Sequence, residues 1–402
     1  MAVNKFSSAD LTFMRRALKL AKRGRYTTSP NPCVGCVLVR DGMVIAEGYH
    51  RKAGTDHAEA AALKNAGSAA AGATAYVTLE PCSHYGRTPP CAKALIKAGV
   101  RRVVAAVEDC NPQVAGRGMR MLREAGIKTE VGLCAQQALY LNRAFFKAMR
   151  TGLPYVVAKS ACSLDNKIAL SDGRSQWITG AKARADGQRL RARADAIITG
   201  VNTVLADNPQ YTVRDEELPA KVRRVISAAQ LRQPLKVVLD SKGRLNAKAD
   251  HLALFAQGNV LQVCVKNASA FGQEGQMRVI TLKNGSELYL QQVAENWQRL
   301  WVDADVDGHC DLLSVLYFLG SLEFRQILVE AGSTLTSAFL SAHLVDELFV
   351  YAAPIILGKN SLPALALPEP ESLAIAHAQA FKVKSVKRLG DDVRVQLQKR
   401  EA

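Results

Sequence analysis

"ATAYVTLEPCSHYGRTPPCAKALIKAGVRRVVAAVED", residues 73–109, is the stretch on which the reading of the fold turns. Its flanks, "ATAYVTLE" (73–80) and "VRRVVAAVED" (100–109), are short apolar runs rich in valine and predict strands. Between them "PCAKALIKAG" (90–99) predicts a helix that opens at Pro90 and stops at Gly99. Working outward, the same alternation continues on both sides. "HAEAAALKNAG" (57–67) is a helix ending at Gly67, "GRGMRMLREAG" (116–126) another, and "KTEVGL" (128–133) a strand. "CVGCVLVRDGMVIAEGYH" (33–50) is a hairpin turning at Arg40-Asp41-Gly42. Leu11, Met14, Leu18 and Ala21 repeat at helical spacing between a Ser7 or Ser8 cap and Gly24. Strands alternating with ten-residue helices predict a layered α/β domain over 1–147, followed by a linker at 148–154 where Gly152 and Pro154 break helix.

A second α/β run occupies 155–402. Strands are expected at 155–162, 195–200, 235–240, 259–265, 325–332 and 345–357, and helices at 181–194, 311–320 and 333–342. Residues 266–310 are polar and pattern-poor, and their periodicity places no element. With 402 residues the chain has ample length for two cores. No apolar run reaches the 18 or so residues that span a bilayer, and the first 24 residues lack the apolar core of a secretion signal, so no membrane partner and a cytoplasmic location are expected.

Cys82 and Cys91, with eight residues between them, admit three readings: a disulfide, a metal clamp or buried small residues. Nine cysteines, an odd number, in a chain without a secretion signal do not make a disulfide framework. "His57-Ala-Glu59" changes the balance between the other two. One imidazole and two thiolates are three of the four ligands of a catalytic zinc, leaving a position for water, and a glutamate two residues from the histidine can move protons there. Both cysteines are expected at or just before helix starts, where the dipole favours thiolate. A regular helix sets positions 57 and 59 on opposite sides, so the arrangement requires His57 at the helix entrance. His-x-Glu followed by Pro-Cys is the pattern of zinc-dependent nucleobase deaminases, which usually close with Cys-x-x-Cys. Cys33-Val-Gly-Cys36 also has metal or redox spacing, but on an apolar strand it reads as packing.

The charge of +17 is uneven: residues 1–150 hold 23 Lys and Arg against 10 Asp and Glu, which is +13 of the total. That favours anionic partners, phosphorylated metabolites or nucleic acid, although no Lys/Arg block singles out the latter and a basic solvated surface fits as well. In the second domain the signals are softer. "ILVEAGSTLTSAFL" is strand, Gly turn and helix, a geometry able to cradle phosphate. Trp177 stands in a polar loop, and Lys159 is a charge within an apolar strand.

"TTSPNPCVGCVLVRDG", "HAEAAAL", "ATAYVTLEPCSHYGRTPPCAKALIKAGVRRVV" and "NPQVAGRG" together resemble the family of bifunctional deaminase–reductases of riboflavin biosynthesis. "AKSACSLDNKIAL", "GRSQWITG", "LRARADAIITGVNTVLADNPQYTVR" and "VEAGSTL" are similar to the family's second half. The long insertion between the two cysteines is itself a family feature. The resemblance, strongest outside residues 215–310, implies a cytidine-deaminase-like α/β/α domain followed by a dihydrofolate-reductase-like α/β domain. It implies one zinc on His57, Cys82 and Cys91 with Glu59 as the catalytic proton shuttle, acting on a small phosphorylated diaminopyrimidinone rather than nucleic acid. Asn31, His50 and His84 would contact that substrate, with Arg87 and Thr88 beside His84. In the second domain it implies NADPH held by Ala161, Trp177, Thr203, Asp207, Gly332, Ser333 and Thr334. Lys159, Ser175, Arg191, Arg214 and Glu330 would face the substrate, the two arginines suiting its phosphate. A homo-oligomer is also expected. One departure stands out: Asn166-Lys167 where the family commonly has Gly-Arg, which leaves the local turn open.

Overall fold

A computed structural model describes residues 6–83, 90–111, 115–247, 251–268, 271–272, 276–367 and 380–400. They form two compact units, Met1–Gly152 and Leu153–Ala402. The first is built, in order, from α1 (Ser8–Ala21), β1 (Gly35–Arg40), β2 (Met43–Tyr49), α2 (Ala58–Ala66), β3 (Thr74–Val77) and α3 (Cys91–Lys97). It continues with β4 (Arg102–Ala105), α4 (Arg117–Glu124), β5 (Lys128–Val131), α5 (Ala135–Leu141) and α6 (Arg143–Thr151).

Its five strands lie in the order β2-β1-β3-β4-β5. The hairpin β1–β2 is antiparallel and turns on Asp41 and Gly42, both at positive φ; β3, β4 and β5 run parallel. Period-two alternation sorts the side chains. Cys36, Leu38, Ala75, Val77, Val103 and Ala105 face one core with residues of α2, α3 and α4. Val37, Val39, Tyr76 and Val104 face the other with α1 and α5. The result is three layers, α/β/α. Ser7 caps α1 reciprocally with Asp10, so that helix has a fixed start.

The expected linker at 148–154 is corrected at its beginning. Helix α6 runs through Thr151 with Phe146 and Ala148 buried, and Gly152 at φ 73 ends it in a left-handed cap. Gly152 is thus the helix stop expected of it, and only three residues separate α6 from the next strand.

The second unit contains β6 (Tyr155–Cys162), β7 (Lys167–Ala169), α7 (Ala181–Arg191), β8 (Ala196–Gly200), α8 (Val201–Asp207), α9 (Ala220–Arg223), β9 (Leu235–Leu239) and β10 (Val260–Val265). Then come β11 (Met277–Thr281), β12 (Glu287–Ala294), β13 (Trp297–Val302), α10 (Leu312–Ser321), β14 (Gln326–Val329), α11 (Ser333–Ser341), β15 (Glu347–Ala352), β16 (Leu362–Pro363), β17 (Phe381–Leu389) and β18 (Asp392–Lys399). Eleven strands make one sheet in the order β11-β12-β13-β10-β9-β8-β14-β6-β15-β18-β17. The seven from β13 to β15 are parallel, and an antiparallel hairpin extends each end.

The strands within 266–310 are the piece that periodicity missed. β11 and β12 form an edge hairpin whose polar side chains alternate with few buried ones, so the apolar signal is thin. The usable signal was Asn284-Gly285, the turn between them, with Gly285 at φ 86. The terminal hairpin β17–β18 was likewise not anticipated. Because the central strands are parallel, their carboxyl ends share one rim, and Lys159, Ala161, Gly200 and Glu330 sit at or next to it.

Candidate active sites

In the first unit His57 is the N-cap of α2, with extended backbone (φ −68, ψ 164). That meets the demand for a histidine at the helix entrance: the cap residue leaves the helical spiral, so its imidazole and the Glu59 carboxyl of the first turn can serve one site. Cys91 opens α3 behind Pro90, as expected. Cys82 begins no helix among the described residues, and residues 84–89, just beyond it, lie outside them. It lies in the loop after β3, where its Sγ accepts the Cys91 main-chain N–H at 3.3 Å and its carbonyl accepts that of Ala92 at 3.1 Å. The thiol thus meets the positive end of α3 from outside.

The donor atoms test the fit of zinc directly. His57 Nδ1 lies 3.6 Å from Cys82 Sγ and 3.4 Å from Cys91 Sγ, all three within 4.8 Å of one another. Tetrahedral zinc with Zn–S of about 2.3 Å and Zn–N of about 2.0 Å sets such ligand atoms about 3.5 Å apart. The residues therefore suit zinc, through Nδ1 of the histidine. A hydrogen bond from the Cys91 thiol, reinforced by His57 and against the effect of burial, holds Cys82 down at about 4. Cys91 is pushed up because Cys82 takes the charge, and His57 is raised by the same sulfur. Glu59 is 3% exposed; burial, with the Cys82 thiolate beside it, pushes its carboxyl up to about 7.

Asn31 and His50 join this group. The Asn31 amide nitrogen is 3.2 Å from His50 Nε2, and the His50 ring packs edge-on to His57 with centroids 5.3 Å apart. His50 Nδ1 lies 3.1 Å from the Asp56 carbonyl. A carbonyl only accepts, so Nδ1 carries the proton, Nε2 accepts from Asn31, and burial keeps the ring below its ordinary pKa. His84, with Arg87 and Thr88, falls outside the described residues. Cys36 is fully buried in the core, and Cys33 is buried with its sulfur 3.4 Å from Thr28 Oγ1, so both pack.

In the second unit the expected residues fall into three contacts. Glu330, just past β14, receives a two-pronged ion pair from Arg191 at 2.8 and 2.9 Å, and Lys159 from β6 approaches it at 3.5 Å. Burial would raise this carboxyl, but the charges of Arg191 and Lys159 override it and hold it at about 2. Ser175 donates to Asp207 at 3.3 Å. Thr203 accepts the N–H of Gly332, the N-cap of α11, at 3.2 Å, which brings Ser333 and Thr334 in α11's first turn beside α8. Arg214 pairs instead with Glu217 at 2.9 Å, Ala161 is half-buried on β6 opposite Tyr351, and Trp177 is exposed with the Arg184 guanidinium 4.7 Å over its ring. The expected pair of arginines is thus not equivalent, since Arg191 is already engaged by Glu330.

Asn166 sits at φ 59, in the turn closed by Asn166 N–H to the Ser163 carbonyl at 3.1 Å. Asparagine is the side-chain-bearing residue that best tolerates this conformation, so the turn forms without glycine.

Residues 7–107 match the cytidine and deoxycytidylate deaminase zinc-binding region, and residues 154–395 match the RibD C-terminal domain. The chain is 46% identical to riboflavin biosynthesis protein RibD of Escherichia coli over 384 residues, covering 96% of this chain and 98% of that one. The chain belongs to the RibD family. Its structure is also similar to Acinetobacter baumannii RibD (TM-score 0.81, 40% identity, 98% of this chain and 99% of that one). A second solved relative is a diaminohydroxyphosphoribosylaminopyrimidine deaminase/5-amino-6-(5-phosphoribosylamino)uracil reductase of Thermotoga maritima (TM-score 0.79, 31% identity, 97% and 99% coverage). This RibD-family chain is therefore a bifunctional enzyme of riboflavin biosynthesis. A zinc-dependent, cytidine-deaminase-like domain precedes an NADPH-dependent, dihydrofolate-reductase-like one. No helix among the described residues is long and apolar enough to cross a membrane.

Tyr211 is a site residue that no sequence pattern singles out. Its ring lies 5.4 Å under the Arg191 guanidinium, its hydroxyl donates to the Glu330 main-chain oxygen at 3.0 Å, and its φ is 50. An aromatic residue at positive φ is an outlier that surrounding contacts must hold, and here they converge on Arg191 and Glu330.

Proposed function

We propose that the first unit deaminates 2,5-diamino-6-(5-phosphoribosylamino)pyrimidin-4-one and that the second reduces the ribosyl chain of the deaminated product to ribityl. The observation that carries the first half is the spacing of His57 Nδ1 from Cys82 and Cys91 Sγ with Glu59 buried in the first turn of the same helix. Zinc held there supplies Lewis acidity that brings the pKa of water towards 7. Glu59 would be the group that accepts a proton and hands it on to the departing amine, since a carboxyl at about 7 holds either form at neutral pH. Asn31, with its NH2 committed to His50, offers its amide oxygen, an acceptor for a ring amino group.

In the second unit the rim residues do the positioning. NADPH, when bound, supplies hydride, and Ala161, Trp177, Thr203, Asp207 and the Gly332–Thr334 turn hold it in this reading. Lys159, 3.5 Å from Glu330, faces the ribose with it in this reading, and Ser175 and Arg214 complete the substrate contacts; Arg191 acts by fixing Glu330. None of the nine cysteines is joined in a disulfide, and a cytoplasmic, reducing setting is part of this reading.

The deciding experiment supplies the pyrimidine nucleotide and follows ammonia release, then adds NADPH and follows absorbance at about 340 nm. Ammonia from a tRNA stem-loop but not from the nucleotide would replace this reading with an RNA deaminase. For His50, the expected result of His50→Leu is a KM for the pyrimidine raised about tenfold with zinc content unchanged, the effect of one lost buried hydrogen-bond partner. An unchanged KM would release Asn31 from its assigned orientation.

A further inference from the structure

Glu80 closes the loop end of β3 two residues before Cys82, and nothing in the chemistry above uses it. Its side chain is 3% exposed. A carboxylate so deep is costly unless donors meet its oxygens. Four main-chain N–H groups do. Asp109 and Gly116 donate to Oε2 at 3.1 and 2.9 Å, and Gly118 and Met119 donate to Oε1 at 2.9 and 3.2 Å. These amides belong to the segment after β4 and to the first turn of α4, so one side chain fixes both against the end of β3. The Glu80 N–H adds a bond to the Val107 carbonyl at 2.9 Å.

The next peptide is gripped as closely. A Cβ added to Gly118 would stand 1.9 Å from the Pro81 carbonyl oxygen and 3.1 Å from its carbon. Helix α4 therefore begins flush against the peptide bond that leads into Cys82, a contact that only glycine permits. On its other side Cys82 is met by the main chain of α3 at Cys91 and Ala92. The thiol is met by the main chain of α3, and Glu80 with Gly118 grips the peptide that precedes it from the α4 side.

We propose that Glu80 is a positioning residue for the zinc ligand Cys82, acting through Pro81 and the α4 contact at Gly118. This rests on the zinc-deaminase reading. The carboxylate is suited to the task because both its oxygens accept and each meets a pair of donors. Glutamine has the same shape, but whichever way its amide is turned, the NH2 faces two N–H groups. Glu80→Gln therefore opens one side of the grip without leaving a cavity, and Gly118→Ala pushes on the Pro81 peptide from the other.

The test measures zinc affinity by chelator competition and the sulfur-to-cobalt charge-transfer bands of the Co(II)-loaded full chain. NADPH-dependent reductase turnover and thermal unfolding serve as controls. Both variants are expected to bind zinc at least about tenfold more weakly and to show altered thiolate bands, with reductase turnover unchanged. Affinity within twofold of wild type and an unaltered cobalt spectrum would overturn the proposal, even if Tm fell, because a purely structural carboxylate moves only Tm. Loss of the reductase along with zinc would make Glu80 a general stability residue and overturn it too. If the wild-type chain gives no thiolate bands, the zinc reading itself fails and takes this inference with it.

Discussion

Glu59→Gln is expected to slow ammonia release by about a thousandfold, within the range that a positioned acid–base group supplies, while zinc stoichiometry stays at the wild-type level. The reasons lie in the site. Glu59 is buried at the first turn of α2, two residues past the His57 cap, and burial has already pushed its carboxyl up to about 7. Glutamine fills the same space and leaves His57, Cys82 and Cys91 in place, but it neither takes nor returns a proton. It also removes a buried ionisable group, so Tm should not fall. Chelation of the wild-type enzyme should abolish ammonia release and added zinc should restore it; the variant should bind zinc and gain nothing. Ammonia release from Glu59→Gln at the wild-type rate would end the proton-shuttle assignment. Release lost together with zinc would show Glu59 to be a structural support of the metal site instead.

Much of this site was legible because its chemistry is local in the chain. His57 and Glu59 are two residues apart, each candidate metal-binding cysteine follows a proline, and the residue types suit zinc. What the pattern could only demand was the extended backbone at His57, since spacing does not state where a helix begins. The hydrogen bond that sets the His50 tautomer was hidden for another reason: its acceptor is the Asp56 main-chain carbonyl, which every residue type shares. In the second unit the decisive pair is separated by 139 residues, Arg191 to Glu330, and only the parallel sheet brings them together. The resemblance implies that Arg191 faces a substrate phosphate, and the fold also pairs it with a buried carboxylate. The edge hairpin β11–β12 was unreadable because half-solvated edge strands dilute the apolar alternation on which strand prediction depends.

That buried pair yields the second large effect. Glu330→Gln is expected to cost the second unit about 3 kcal/mol at pH 7, because the carboxyl lies at about 2 rather than its ordinary 4.5. The sign follows from the direction of the shift. The folded state favours the charged form, so the stabilisation is complete above about 4.5 and is lost as pH falls through that value towards about 2. The gap between wild type and variant should therefore narrow to about 2 kcal/mol by pH 3.5 and vanish below the folded value. Arg191 explains why the loss is large: without the carboxylate its buried guanidinium loses its two-pronged partner, and an orphaned buried charge is costlier than an absent pair. The measurement is unusually clean, since all three tryptophans (Trp177, Trp297 and Trp301) lie in this unit, and their fluorescence in urea reports its unfolding alone. A gap that is equally wide at pH 7 and pH 3.5 would mean that glutamine destabilises by shape rather than by charge. No gap at pH 7 would mean that Arg191 finds solvent or another acceptor, and Glu330 would then not be the anchor around which Lys159 and Tyr211 are arranged.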